Sequence, residues 1–288
     1  MKKKDAVFAL CCIVGAVSFA YAQDTEEVSK FSSDYEQEVK ENLNKPSHWE
    51  IAAAFRVGGA TYEESVGDIT STYHAVFPEV FLSAKNRTEN DIEHEIDFSF
   101  GQSTTSTENW YVSEAAYQTN KLDFYRLCFK GSIGKIFYSD RVPDLQLIPF
   151  IGYGFRFINF TRSDFDIFNP VTIPESVSEK YYLQYGDLGL KFDKKLNEKF
   201  GISGAGSYGY VFYNLADNGE LGSVKGTDGK YIIDGSVNLH YALSRSVKLD
   251  FGGFLEFQDI NGGHSGQVVW PDNKLNIYGG LFGARFVF

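Results

Sequence analysis

The C-terminal residues Asn273 to Phe288, which read NKLNIYGGLFGARFVF, decide the fold of this chain. Every second residue from Tyr278 to Phe288 is aromatic or small, whereas the positions between them include Arg285. A period of two is the period of a β-strand, because successive side chains point to opposite faces. The stretch therefore predicts a final strand with one apolar face and one face that carries charge.

The end of this strand has the pattern Gly-x-x-aromatic-x-aromatic, formed by Gly283, Phe286 and Phe288. The pattern resembles the closing strand of bacterial outer-membrane β-barrels, where it is the assembly signal. The resemblance implies recognition of these three residues by the barrel assembly machinery. An ordinary buried C-terminal strand would show the same alternation, so the other end of the chain has to decide between the two interpretations.

The N-terminus has the composition of a secretory signal peptide. Lysines at positions 2 to 4 precede an apolar run from Ala6 to Ala20 that is too short to span a bilayer, and Ala20-Tyr21-Ala22 fits the small-x-small cleavage pattern. We predict that residues 1–22 are removed. Cys128 is then the single cysteine of the mature chain, which excludes an internal disulfide.

The composition agrees with an exported barrel. The chain has 27 basic and 38 acidic residues, a net charge of −11, which argues against nucleic acid as a partner. Aromatic residues make up 16% of the chain and the mean hydropathy is −0.24. No run after Ala22 reaches the ~20 apolar residues that a membrane helix needs. A membrane-spanning chain of this kind must use strands that close on themselves, because open sheet edges in lipid leave backbone groups unpaired.

We divide the mature chain into a polar periplasmic tail, residues 23–48, and a transmembrane antiparallel up-and-down β-barrel, residues 49–288. The pattern predicts about ten strands, joined alternately by short turns and long loops. Pro78 predicts an irregular second strand. The predicted long loops cover residues 63–70, 102–119, 161–177, 215–228 and 259–272.

The strand alternation also assigns the two faces of the wall. Between Ile92 and Phe100, acidic residues alternate with apolar ones, and an acidic row beside lipid would be costly, so we place it in the lumen. His94 lies on the face opposite Glu93 and Glu95, so these three residues do not predict a metal site. We expect the charged lumen residues to form neutralising pairs that plug the barrel. They are Glu95, Arg126, Arg156, Asp234, Asp250, Glu256 and Arg285.

The charges of the connections are sorted by side. This predicts a barrel with two chemically different ends, whereas a soluble β-sandwich is not expected to sort the charges of its loops in this way. The short connections carry Lys85, Arg87, Arg141, Lys194, Lys195, Lys199 and Arg245. The long loops carry Glu63, Glu64, Asp68, Glu108, Glu114, Asp164, Asp166, Glu175, Asp217, Glu220, Asp228 and Asp272.

The layout of strands and loops resembles that of the omptins, a family of outer-membrane proteases. The segment from Ile148 to Thr161, in which Gly152-Tyr153 precedes Arg156 and its aromatic neighbours, is similar to one omptin strand. The resemblance implies an Asp-x-Asp pair followed by Trp in the second long loop. Trp110 is present, but Thr107 and Asn109 occupy the carboxylate positions.

The resemblance also implies an Asp-x-His pair in the fourth loop, and the matching stretch from Asp217 to Leu221 contains no histidine. Water activation needs a base that titrates near the working pH. We therefore expect the omptin architecture without its protease chemistry, and no cofactor or metal site. If a catalytic site has been rebuilt, its candidate residues are Glu108, Glu220 and His264.

Three functions fit the sequence. The first is a non-catalytic barrel of the bacterial outer membrane whose acidic extracellular loops bind a partner or surface. The second is a small channel, although a barrel of about ten strands leaves a lumen largely filled by side chains. The third is an omptin-type endopeptidase with an altered site. In each case we expect a monomer with periplasmic termini, in contact with outer-membrane lipid and lipopolysaccharide.

Overall fold

The computed structural model describes residues 48–139, 141–167, 175–218, 222–226, 230–265 and 268–288. The predicted signal peptide and residues 23–47 of the predicted tail lie outside these ranges. Within these ranges, the regular secondary structure consists of β-strands. No helix of the described part is long and apolar enough to cross a membrane.

The described part of the chain contains fifteen strands, which build a closed barrel with ten antiparallel strand positions, called walls here. The strands are β1 (His48–Val66), β2 (Ile69–Arg87), β3 (Ile92–Gln102), β4 (Ser106–Val112), β5 (Ala115–Lys135), β6 (Phe137–Tyr138), β7 (Leu145–Ile167), β8 (Ser176–Lys195), β9 (Phe200–Asn218), β10 (Gly222–Lys225), β11 (Tyr231–Ala242), β12 (Val247–Ile260), β13 (Gly263–Ser265), β14 (Val268–Trp270) and β15 (Asp272–Val287).

Neighbouring walls run antiparallel, and β3 and β4 together form the third wall. β15 pairs with β12 on one side and with β1 on the other, from Glu50 opposite Val287 to Ser65 opposite Asp272. This last pairing closes the cylinder. The predicted up-and-down barrel of about ten strands is confirmed.

The closing strand has the faces that its sequence predicts. Phe282 and Phe286 are exposed on the outer surface, and Gly279 and Gly283 lie on the inner face. A Cβ atom at Gly58, which lies opposite Gly279, would stand 1.9 Å from the carbonyl oxygen of Tyr278. Glycines at this seam therefore allow β1 and β15 to coil against each other more closely than any side chain would permit.

The two ends of the barrel differ in their connections. The end that holds the chain terminus Phe288 and the connections after β2, β5 and β6, β8 and β11 is called the lower end here, and the opposite end is the upper end. A girdle of exposed apolar side chains surrounds the lower part of the wall. It includes Trp49, Phe55, Val80, Phe98, Ile151, Leu188, Tyr208, Phe251 and Phe282. Above it the outward residues become polar, as at Glu63, Lys121 and Lys274.

Two of the predicted long loops are wrong. β1 extends to Val66 and β2 begins at Ile69, so the two strands are joined by the two-residue turn Gly67-Asp68, in which Gly67 has a φ of 55°. β4 and β5 likewise form a hairpin with Ser113 and Glu114 at its tip, where the φ angles are 47° and 70°. Backbone hydrogen bonds propagate a strand whatever its side-chain polarity, so a polar sequence above a membrane surface does not end it.

The irregularity predicted at Pro78 lies in the neighbouring wall. β2 pairs with β1 without interruption through Pro78. On its other side β2 pairs with β3 up to Gly101 and with β4 from Glu108, so Pro78 faces the gap between these two strands. Proline cannot donate a ladder hydrogen bond, and the break in the third wall places it where that donor has no partner strand.

The upper half of the lumen is filled by a closely packed apolar layer, called the aromatic plug here. The ring centroids of Phe77 and Phe124 are 5.1 Å apart, those of Phe124 and Phe160 5.2 Å, and those of Phe160 and Tyr62 4.2 Å. The plug draws on most walls of the barrel. Its buried residues include Tyr62, Tyr73, Phe77, Leu122, Phe124, Ile158, Phe160, Tyr181, Leu183, Ile232, Phe254, Leu275 and Ile277.

Candidate functional site

Two polar sites lie inside the barrel, one on each side of the aromatic plug. The upper site consists of Arg162 with Glu64, Glu108 and Glu179, which lie on β7, β1, β4 and β8. The lower site is the part of the lumen below the plug, where charged side chains line a cavity. The sequence-predicted candidate Glu108 belongs to the upper site.

Arg162 is the centre of the upper site. Its Nε atom donates to Oε2 of Glu108 at 2.6 Å and its second terminal nitrogen to Oε1 of the same carboxylate at 3.0 Å, a bidentate pair. Arg162 also pairs with Glu64 at 3.0 Å and with Glu179 at 2.5 Å. Its guanidinium carbon lies 5.4 Å from the centroid of the Trp110 ring. Four of the five N–H donors of the guanidinium are therefore used within the protein.

Glu108 has no oxygen left for a reacting water. In addition to Arg162, its Oε1 accepts from the hydroxyl of Ser71 and its Oε2 from Nδ2 of Asn120, each at 2.9 Å. The side chain is completely buried. Burial by itself would raise the pKa of Glu108, but Arg162 and these hydrogen bonds hold it below its usual range. A carboxylate in this state is a poor general base near neutral pH.

Three carboxylates share one guanidinium at the upper site, so its charges do not cancel. Burial raises the pKa of Glu64 to about 7, although Arg162 opposes that rise. The Tyr62 hydroxyl hydrogen-bonds to Glu64. The wall around this site is outside the apolar girdle, since Glu63 and Lys121 point outward at the same height.

The other sequence-predicted residues are not brought to Glu108 by any contact in the described part of the chain. Glu220 lies outside the described residues. His264 is described only by its backbone, which pairs with Val269 between β13 and β14. Thr107 is exposed and accepts a hydrogen bond from Lys121 at 3.0 Å. A catalytic set of Glu108, Glu220 and His264 remains a prediction.

Arg162 was missed in the sequence because residues 161–177 were predicted to form a loop. β7 runs on to Ile167, and Arg162 continues the inward row that contains Arg156, Ile158 and Phe160. Extending the period of two by one more step would have found it.

Ion pairs line the middle and lower lumen as predicted, but they surround a cavity and do not plug the barrel. Arg126 pairs with Glu79 at 2.7 Å and with Glu256, and Arg156 pairs with Glu256 at 2.6 Å and with Asp234 at 3.0 Å. In the same region, Glu95 pairs with Lys191, and Asp250 pairs with Arg285 at 3.1 Å. The expected neutralising pairs are confirmed for all seven residues named from the sequence.

The ion pairs leave a cavity of about 240 Å³ in this part of the lumen. It extends from Glu256 and Asp234 at mid-height down to Glu50, Arg87 and Asp193, which lie at the lower ends of their strands. The aromatic plug lies on its upper side. The cavity is therefore oriented toward the end that carries the short connections.

A hydrogen-bonded chain of three side chains stands at the edge of this cavity. Nδ1 of His240 lies 2.6 Å from Oδ1 of Asp250, and Nε2 of His240 lies 2.6 Å from Oγ of Ser203. Asp234, on the same strand as His240, pairs with Arg156, whereas His240 meets Asp250 on the adjacent strand.

Comparison with known proteins places the fold. No protein-family model matches the chain, and no curated protein sequence matches it. Among solved structures, the outer membrane protease OmpT from Escherichia coli is similar, with a TM-score of 0.63 and 11% identity over 84% of this chain and 97% of OmpT. The translocator domain of the autotransporter NalP from Neisseria meningitidis has a TM-score of 0.41 and 13% identity, over 87% of this chain and 92% of that domain.

At 11% identity, the likeness to OmpT establishes the fold alone. The chain has the all-β architecture of bacterial outer-membrane β-barrels, with ten antiparallel strands. This likeness does not establish membership of the omptin family.

Proposed function

We propose that this chain is a barrel of the bacterial outer membrane with a sealed lumen, which binds cationic groups at its acidic upper end and lacks omptin-type protease activity. The observation that carries the proposal is the barrier across the upper lumen, formed by the aromatic plug and the upper site. It supports binding at the outside of the upper end over passage through it.

The apolar girdle supports insertion in a membrane, because a soluble protein seldom exposes so large an apolar surface. The predicted signal peptide and closing strand supply the route of export. Phe288→Asp should therefore reduce assembly and leave degraded or periplasmic protein. If this variant still gave the normal heat-modifiable barrel in the membrane fraction, the role of the closing strand would be contradicted. Phe282→Tyr is the control within β15 and should assemble normally.

The plug argues against the channel alternative. Its rings are completely or almost completely buried and touch one another across the lumen, which argues against a continuous water path. The protein reconstituted in a planar bilayer should show no stable conductance steps. Regular single-channel openings in the unmodified protein would favour the channel.

The upper site argues against the protease alternative, because the hydrogen bonds to Glu108 are complete and Arg162 occupies the space between the carboxylates. Refolded protein with lipopolysaccharide should leave dibasic peptides intact. Thr107→Asp combined with Asn109→Asp should not create activity, because positions 219 and 221 provide no histidine. Turnover by the unmodified protein would contradict the proposal and direct attention to His264 and Glu220.

The exposed carboxylates of the upper end support a cationic partner. Asp68, Glu114, Asp164, Asp166 and Glu175 are all exposed there. A fluorescent lysine-rich peptide should bind the detergent-solubilised barrel at low salt and dissociate at high salt. Asp164→Lys with Asp166→Lys should weaken binding, whereas Glu89→Lys with Glu198→Lys at the lower end should not. Equal weakening by both pairs would indicate an effect of net charge without a site.

A further inference from the structure

The chain of Ser203, His240 and Asp250 is built by three neighbouring strands. His240 on β11 lies opposite Asp250 on β12, and Ser203 on β9 lies opposite Asn238, two residues before His240. Residues two apart on a strand share a face, so all three side chains point into the lumen. Their contacts follow from the register of the barrel and do not depend on a loop.

The hydrogen bonds fix the roles of the two imidazole nitrogens. A carboxylate only accepts hydrogen bonds, so Nδ1 of His240 donates to Asp250, and in the neutral imidazole Nε2 accepts from the Ser203 hydroxyl. Oδ2 of Asp250 is held separately by Arg285, at 3.1 and 3.3 Å. This arrangement provides a nucleophile, a base and an orienting carboxylate within hydrogen-bonding distance of one another.

The nucleophile position is also accessible. Ser203 is only partly buried and lines the cavity of about 240 Å³, together with Asn238 and Asp250. His240 behind it is 5% exposed. The Asn238 side chain faces the same cavity beside Ser203, where an amide can stabilise a developing oxyanion. In contrast, the carboxylate of Glu108 in the upper site has no exposed surface and no unused oxygen.

We propose that Ser203, His240 and Asp250 form a hydrolytic site for small carboxylic esters, which enter the cavity from the lower end of the barrel. The cavity is smaller than the ~300–1,000 Å³ of pockets for drug-sized ligands, so it favours short acyl groups. Its ionic lining favours polar or charged substrates over long lipid chains. This activity is independent of the upper-end binding proposed above.

The reaction proceeds in two balanced steps. Oγ of Ser203 attacks the ester carbonyl while Nε2 of His240 takes the hydroxyl proton, and the carbon–oxygen bond to the alcohol breaks as His240 returns that proton to the leaving oxygen. A water molecule then gives a proton to His240 and attacks the acyl-serine. The acid leaves, and the proton returns to Oγ. Asp250 acts as a positioning residue that holds His240 in the required tautomer.

The test uses the full chain, folded in detergent and checked by heat-modifiable mobility. A small fluorophosphonate should label the protein, and peptide mass spectrometry should place the adduct on Ser203. p-Nitrophenyl acetate should be hydrolysed at a rate that Ser203→Ala and His240→Gln each reduce by ~10²-fold or more.

Ser207→Ala is the matched control. Ser207 lies on the same strand, faces the same cavity and makes a 3.3 Å contact with Lys130, so its removal should change neither labelling nor turnover. If the folded wild-type protein carries no adduct on Ser203 and hydrolyses the ester no faster than Ser203→Ala, the proposal is wrong. If Ser203→Ala does not fold, the position of the adduct in the wild-type protein decides the question.

Discussion

The upper and lower halves of the lumen are lined by the same ten walls but are filled in different ways. The upper half holds aromatic rings in contact with one another, whereas the lower half holds ion pairs around a cavity of about 240 Å³. Aromatic rings can pack without gaps, but charged groups must keep hydrogen-bond partners in fixed directions. One barrel therefore combines a densely packed half with a half that holds a cavity.

The two halves also differ in charge balance. At mid-height, Arg56, Arg126, Arg156 and Lys130 pair with Glu79, Glu256, Asp234 and Asp187. The upper site has one arginine for three glutamates. An excess of buried negative charge is tolerated there because a glutamate with a raised pKa can keep its proton.

The largest expected effect comes from breaking the upper ion cluster. Arg162→Met should lower the free energy of unfolding by ~3–5 kcal/mol, because it leaves three carboxylates without their cation. Arg56→Met is the lower-half control and should cost less, since Glu79 keeps its 2.7 Å contact with Arg126. Urea titration of the refolded barrel measures both. If both variants lost the same free energy of unfolding, the two halves would depend equally on their ion pairs, which would contradict this prediction.

The next prediction compares the packing of the two halves. Phe160→Ala, within the plug, should cost ~3–5 kcal/mol because it leaves a cavity between buried rings. Phe81→Ala should cost less, because Phe81 lines the existing cavity and packs against the Arg56 guanidinium at 3.7 Å. The same titration applies. A greater loss at Phe81 would contradict the distinction between a dense and an open half.

The outer wall offers a third comparison. Phe251→Arg, in the apolar girdle, should cost ~2–4 kcal/mol if the girdle faces the bilayer core. Thr72→Arg, on the outer face of the upper half and opposite Glu63, should cost nothing measurable. Refolding into lipid vesicles measures both variants. A harmless arginine at Phe251 would show that the wall is wrongly oriented or that the girdle does not meet lipid.

The smallest expected effect is the pH dependence of stability that Glu64 contributes in the upper half. The folded-state pKa of Glu64 is raised to about 7, so the folded protein binds the proton more tightly than the unfolded chain does. Stability from this group is complete below the usual carboxyl range and is lost as pH rises to about 7. Glu64→Gln should remove this loss, a gain of ~1–3 kcal/mol relative to the wild type at pH above 7.

The pH dependence that comes from Glu108 has the opposite sign, because its folded-state pKa is lowered. Its stabilising contribution is present above the usual carboxyl range and is lost only as the pH falls into acid. Urea titrations of the wild type and Glu64→Gln between mild acid and mild base therefore separate the two carboxylates. Parallel curves for the two proteins across this range would show that Glu64 does not titrate there.

The fold and the faces of the wall were predictable from sequence, because alternation is a local property of each strand. The row of Glu93, Glu95 and Asp97 points inward as predicted, and His94 points outward. The strand ends were less predictable. The hairpin tips at Gly67 and Ser113 lie inside segments whose polarity resembles that of loops, and polarity above a membrane does not distinguish a strand from a loop.

The candidate site was only partly predictable. Glu108 was identified through its neighbour Trp110, but its partner Arg162 lies 54 residues away in the sequence. Ser203 had no sequence signal at all, since a serine in a glycine-rich strand is common. Its contact with His240 arises between strands, where sequence spacing carries no information.

The sequence by itself determined a closed barrel and its inner and outer faces. The tertiary structure alone decided which inward residues meet: Arg162 with Glu64 across 98 residues, Arg126 with Glu256 across 130, and His240 with Ser203 across 37. The physical reason is that side-chain alternation is set by each strand's own pleat, whereas contacts across the lumen depend on the stagger and tilt with which all the strands close.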